Sequence, residues 1–247
     1  MTTKANGFEG GTAGVQLATG NLGGVSGDAP DTVTATGQFV FDAAHPAHGS
    51  MSAKVNGAGT TGFVSYNLNT PTLFARQYLY LTELPTSDQF TMRFYNTVLP
   101  GNVAILKWIS TGALRLTDSA GTTRWTSSAI FPTTSIIRLD AYVNVTTNSF
   151  QIAWGPLDAA ATQDSTLLTT AVFGGANITR LDIGPRVTAG TSTATAITWM
   201  DDVRLTYPAT GFDAPGVPAV QTNFVRRAGV WVPMNVYHRS AGTWHAI

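Results

Sequence analysis

Residues 136–145 read Ile-Ile-Arg-Leu-Asp-Ala-Tyr-Val-Asn-Val, and their alternation decides the fold class. Ile137, Leu139, Ala141, Val143 and Val145 fall on one side of an extended chain, with Arg138, Asp140, Tyr142 and Asn144 on the other. A period of two is that of a half-buried strand. The next segment, 149–155, repeats the pattern with Phe150, Ile152 and Trp154 inward. Upstream, 90–95 predicts a strand with Phe90, Met92 and Phe94 on one face and Thr91, Arg93 and Tyr95 on the other. Between these lie 103–109, 113–118 and 123–129, joined by Ser110-Thr111-Gly112 and Ser119-Ala120-Gly121-Thr122, which suit hairpin turns. Downstream, 178–184 and 197–207 are again strand-like, with Gly- and Thr-rich spacers that disfavour helix. Along 197–207, alternation assigns Trp199, Asp201, Val203 and Leu205 to the core face and Met200, Asp202, Arg204 and Thr206 outward. So many short strands predict an all-β chain of two packed antiparallel sheets.

Composition narrows the partners. The 247 residues carry 14 basic and 14 acidic side chains, a formal net charge of zero, and the cations are scattered singly. No electrostatic footprint for a polyanion results, so nucleic acid is not an expected partner. Cysteine is absent, which removes disulfides and thiolate chemistry. The opening residues, Met1–Gly11, show no apolar signal core, and no run approaches the roughly 18 apolar residues of a membrane span. Neither an export signal nor membrane insertion is expected.

Domain organisation follows from a composition shift after Tyr207. Residues 1–207 form the sandwich. Residues 208–222 hold Pro208, Pro215 and Pro218 with Gly211 and Gly216, and predict an extended linker. In 223–247, Ala228-Gly229-Val230-Trp231 returns as Ala241-Gly242-Thr243-Trp244, each copy offering a strand, a turn and a strand. So short an appendage buries little surface alone, and an isolated hairpin is marginal in water. Trp231 and Trp244 are therefore the candidate assembly contacts, and a homo-oligomer or multicopy assembly is expected.

Three motifs carry a resemblance: Gly7-Phe8-Glu9, then His48-Gly49-Ser50-Met51-Ser52-Ala53-Lys54-Val55, then Asp201-Asp202-Val203. In this order they resemble the laminin-G-like and concanavalin-A-like jelly rolls, in particular carbohydrate-binding modules of that architecture. The resemblance implies a two-sheet jelly-roll sandwich with a short C-terminal β-hairpin appendage. It also implies a structural Ca2+ held by Glu9, Asp201 and backbone carbonyls near His48 and Gly49. The terminal units, Val225-Arg226 through Trp231 and His238-Arg239 through Trp244, resemble the C-termini of minor tail proteins from phages of actinobacteria. That implies a virion location, with other virion proteins and a host cell-surface glycan as partners.

Catalysis is not expected from the sequence. Glycoside hydrolysis needs two carboxyl groups across a cleft, and the acids here are dispersed. No Gly-x-Ser-x-Gly elbow or His-Glu-x-x-His helix occurs, and His45, His48, His238 and His245 are spread along the chain. Sugar recognition uses flat rings flanked by polar groups. Tyr95 and Tyr142, with Arg93 and Arg138 beside them, are the outward candidates; Tyr78, Tyr80, Trp108 and Trp125 are further ones. The expected protein is a minor tail component with an adhesive sandwich. The alternatives are a carbohydrate-active enzyme of the same fold, such as a glucanase or lyase, and an architectural head or tail decoration protein.

Overall fold

The computed structural model describes residues 1–56, 61–96, 101–159, 161, 163–164, 173, 175–187 and 197–211, with four short strands further on. In chain order the strands are β1 (Thr2–Asn6), β2 (Thr32–Thr36), β3 (Phe39–Asp42), β4 (Ser52–Val55), β5 (Thr61–Thr70), β6 (Thr72–Leu81), β7 (Gln89–Tyr95), β8 (Asn102–Trp108), β9 (Ala113–Asp118), β10 (Thr123–Ile130), β11 (Ile137–Asn144), β12 (Ser149–Pro156), β13 (Gln163–Asp164), β14 (Ile178–Val187) and β15 (Thr198–Tyr207). They build an antiparallel jelly-roll sandwich. One sheet runs β13-β12-β11-β6-β15-β4-β3, with β1 also on β15; the other runs β10-β9-β8-β7-β14-β5-β2.

The alternation of β11 holds. Ile137, Leu139, Ala141 and Val143 are buried between the sheets, as are Phe150, Ile152 and Trp154 of β12. β11 pairs in full register with β6 and β12, which sets Asp140 opposite Arg76 and Arg138 opposite Tyr78 on the outer face. The predicted meander is β8-β9-β10. Trp108 lies in the core against Phe131, and Trp125 packs edge-on to Trp154.

In β7 and β15 the faces read from alternation change, and in both the cause is a β-bulge. A bulge puts two residues opposite one and shifts every following side chain to the other face. In β7 the register slips between Phe90 and Met92. Thr91 therefore points inward, where it accepts a hydrogen bond from Gln77 Nε2 at 2.7 Å, and Phe90 joins Arg93 on the outer face. In β15 the slip lies between Asp201 and Arg204, with Asp202 at φ +41. Met200, Val203 and Leu205 consequently line the core. Trp199 and Asp201, assigned to the core face from sequence, instead point outward and are covered by the loop at 42–50.

Contacts divide the chain into Met1–Gly216 and Val217–Ile247. Just beyond Tyr207 the chain still belongs to the first unit: Ala209 packs on Phe74 and Tyr142, and its N–H donates to Thr72 Oγ1 at 2.9 Å. In the second unit β16 (Phe224–Arg227) pairs with β17 (Val230–Pro233), and β18 (Tyr237–Ser240) with β19 (Thr243–Ala246). Arg226 is the partner of Trp231, and Arg239 of Trp244, so the sequence repeat is also a repeat of pairing register. The side chains of Trp231 and Trp244, and residues 212–222 of the predicted linker, lie outside the described residues.

Candidate functional site

The three motifs that carried the resemblance meet at one corner of the first sheet. Phe8, at φ +56, fills the core and turns Glu9 toward the loop at 47–51. Both Glu9 oxygens accept the Ser50 N–H at 2.9 and 3.0 Å; the Ser50 hydroxyl and the Met51 N–H add bonds at 2.9 and 3.1 Å. Gly49 sits at φ +71, and a Cβ there would overlap the Glu9 carboxylate. Only glycine meets both demands. Asp201 Oδ2 accepts the Ala47 and His48 N–H groups at 2.7 and 3.3 Å, and Oδ1 accepts the Asp202 N–H at 2.8 Å. Burial, with the Asp202 charge next, pushes the Asp201 carboxyl well above the ordinary carboxylate range, against the pull of those three amides.

Glu9, Asp201, His48 and Gly49 are thus brought together as the motifs implied, but their oxygens converge on amide hydrogens. Calcium asks for 6–8 oxygens around one centre, and among the described residues no three of His, Asp and Glu are grouped to hold a metal ion. This donor set does not fit calcium. The carboxylates fasten the loop directly.

His48 is the hub. Its Nδ1 meets Asp202 Oδ2 and its Nε2 meets Asp158 Oδ2 at 2.9 Å. Tyr78 donates to Asp158 Oδ1 at 2.9 Å. The hydrogen bond to Asp202 outweighs burial and, with Asp158, raises the His48 pKa to about 9. At neutral pH the ring is an imidazolium donating through both nitrogens, so neither is available as a base. Burial works upward on Asp158, but bonds from His48 and Tyr78 prevail and hold its carboxyl below the usual range. Arg138 anchors that loop from beneath, donating to the Leu157 and Ala159 carbonyls at 3.0 and 2.8 Å. Beside the hub, His45 stacks on Tyr80 at 3.7 Å, edge-on to Trp199.

Of the ligand candidates, Arg138 and Tyr142 are corrected. Outward they are, but loop 157–159 and Ala209 cover them: Arg138 is bound to Asp140 at 3.0 Å, which also takes Arg76 at 2.6 Å, and Tyr142 packs on Phe74. Tyr78 is buried as well. Tyr95 and Arg93 stand on the outer face of the second sheet, partly buried. Two residues of β14 that sequence reasoning passed over join them. Arg93 lies 4.4 Å from the Tyr95 ring centroid, Arg180 lies 4.0 Å from it, and Arg186 donates to the Tyr95 hydroxyl at 3.0 Å. Asp182, behind them, accepts from Ser65 Oγ at 2.7 Å and pairs with Arg180 at 3.0 Å. Burial first, then Asp182, raises the Tyr95 hydroxyl pKa, while the arginines oppose it. The signal for Arg180, Asp182 and Arg186 was their shared parity; the pairing of β14 with β7 that makes them neighbours of Tyr95 was not visible.

No family model matches this chain, and no curated protein matches it. Among solved structures, a botulinum neurotoxin type C structure, described as dependent for cell entry on interaction with two ganglioside molecules, matches with TM-score 0.52 and 10% identity over 80% of this chain and 48% of that one. A Trypanosoma rangeli sialidase matches with TM-score 0.48 and 12% identity over 82% of this chain and 30% of that one. This chain thus spans less than half the length of either protein, and the likeness is one of fold. The expectation of a protein without catalytic activity is withdrawn, since sialidases, which are enzymes, are among the chains that match.

Proposed function

We propose that this chain is a minor tail component of a phage virion, whose sandwich recognises a host-surface saccharide while its terminal hairpins dock on other virion proteins. The observation that carries the saccharide part is a partly exposed polar-aromatic cluster on the outer face of the second sheet, in which the Arg93 and Arg180 guanidinium groups stack on the Tyr95 ring and Arg186 donates to its hydroxyl. N–H donors gathered around an aromatic ring in this way can hold the oxygens of a sugar. A neurotoxin of the same fold, described as dependent on ganglioside for cell entry, supports a saccharide as ligand. The virion part is supported by two hairpins of identical register, each too small to be stable uncovered. Several copies in one particle would raise avidity without new contacts.

A glycan array probed with the full chain and with Tyr95→Ala tests the first part. The wild type binds at least one saccharide and the variant loses most of that signal; a silent wild type overturns it. Deleting 223–247 tests the second: incorporation into particles falls, and unchanged incorporation overturns docking.

A further inference from the structure

We propose that the saccharide taken by the Tyr95 face is an acidic one, its carboxylate held by Arg93, Arg180 and Arg186; this rests on the saccharide reading above. The chain as a whole is neutral, so a local excess of charge has to be assembled by the fold. Pairing of β14 with β7 does this, setting Arg180 opposite Tyr95 and Asp182 opposite Arg93. Three guanidinium groups gather at one ring. The charged groups acting on Arg93 are Arg186, Asp182 and Arg180, two of its own sign and one opposite. Three positive charges against one negative leave a formal excess of two.

Asp182 does not neutralise the surface. Its side chain is only 4% exposed, whereas Arg180 and Arg186 are 43% and 35% exposed. Asp182 is shared between both arginines, at 3.0 and 3.8 Å, and also accepts from Ser65. A guanidinium carries five N–H donors in a planar fork that matches a carboxylate and stays charged at any working pH. Arg186 meets both Asp182 and the Tyr95 hydroxyl through one nitrogen. A neutral sugar would leave the like charges facing one another, while a sugar carboxylate set among the guanidinium groups around Tyr95 would bridge them.

The contrast with the first sheet sharpens the choice. There Arg76 and Arg138 share Asp140 in a buried cluster, with Arg138 also spent on two loop carbonyls. Those arginines hold the protein together; those at Tyr95 face solvent.

Calorimetry on the full chain tests this with two acid and neutral pairs: sialyllactose against lactose, and trigalacturonate against its carboxyl-reduced trisaccharide. At least one acid binds, and its neutral counterpart binds about 10- to 100-fold more weakly, the worth of a hydrogen bond to a charged group. The acid's affinity falls as salt rises from about 0.05 to about 0.5 M. Arg180→Gln and Arg186→Gln each narrow the acid-to-neutral ratio, and the wild-type ratio decides the matter should either variant fold poorly. Equal binding of an acid and its neutral counterpart, or binding of neutral sugars alone, overturns the charge assignment and leaves the saccharide reading standing. Silence toward every saccharide on the array overturns both.

Discussion

Raising the pH should unlock the His48 hub. His48 lies between Asp202 and Asp158 with its pKa lifted from 6.5 to about 9. Because the folded value is the higher one, the stabilisation is fully present below about pH 6.5 and is lost as pH rises through about 9. The full difference corresponds to about 3 kcal/mol. The His48 and Asp158 side chains are 22% and 36% exposed, and solvent screening brings the effect to about 1–2 kcal/mol. For a unit of this size that is a fall in Tm of about 2–8 °C. The assay is thermal or urea unfolding at about pH 6.5 and about pH 9.5, for the wild type and for His48→Gln. Glutamine can hydrogen-bond but cannot carry the charge, so the variant starts less stable at the lower pH and loses the added slope. Parallel stability profiles for the two proteins across this range would refute the reasoning.

Three further outcomes follow from the same geometry. Gly49→Ala forces a Cβ into the Glu9 carboxylate at positive φ and should cost about 1–3 kcal/mol in urea denaturation. Asp140→Asn leaves the buried Arg76 and Arg138 without their shared counter-charge; the loss should be about 3–5 kcal/mol, with faster proteolysis at loop 157–159. Adding Ca2+ or EDTA should leave Tm unchanged, because Glu9 and Asp201 are already bound to amides; a rise with Ca2+ in calorimetry would contradict the placement of those carboxylates.

Much of the sandwich was legible because strand alternation is a local property. Residues 137–145 declare their inner face without reference to any partner, and the burial of Ile137, Leu139, Ala141 and Val143 follows. Bulges are different. The slips at Phe90–Met92 and Asp201–Arg204 belong to pairs of strands, so the parity of either strand alone misassigned Phe90, Trp199 and Asp201. The candidate sites were less legible still. His48 meets Asp158 and Asp202 across separations of 110 and 154 residues, and no spacing rule reaches so far. The motif residues Glu9, His48, Gly49 and Asp201 could be named in advance, but the amide donors that occupy them come from backbone turns the side-chain pattern does not encode.

The least visible distinction was between outward and exposed. Arg138, Tyr142, Arg93 and Tyr95 all lie on outer faces by parity, yet the two sheets treat those faces in opposite ways. Loops 42–50 and 157–159 cover much of the first sheet, and buried charge there must be matched within the protein. Asp140 and the carbonyls at 157 and 159 accordingly absorb its arginines. The second sheet carries three arginines around Tyr95 over one buried carboxylate, Asp182, and Arg180 and Arg186 are exposed enough for water to solvate the excess charge. A face that water reaches tolerates such an excess, whereas a covered face has to match each charge with its own loops. This asymmetry is why the proposed recognition surface is sought at Tyr95, Arg93, Arg180 and Arg186, while His48, Asp158 and Asp202 fasten a loop on the other sheet.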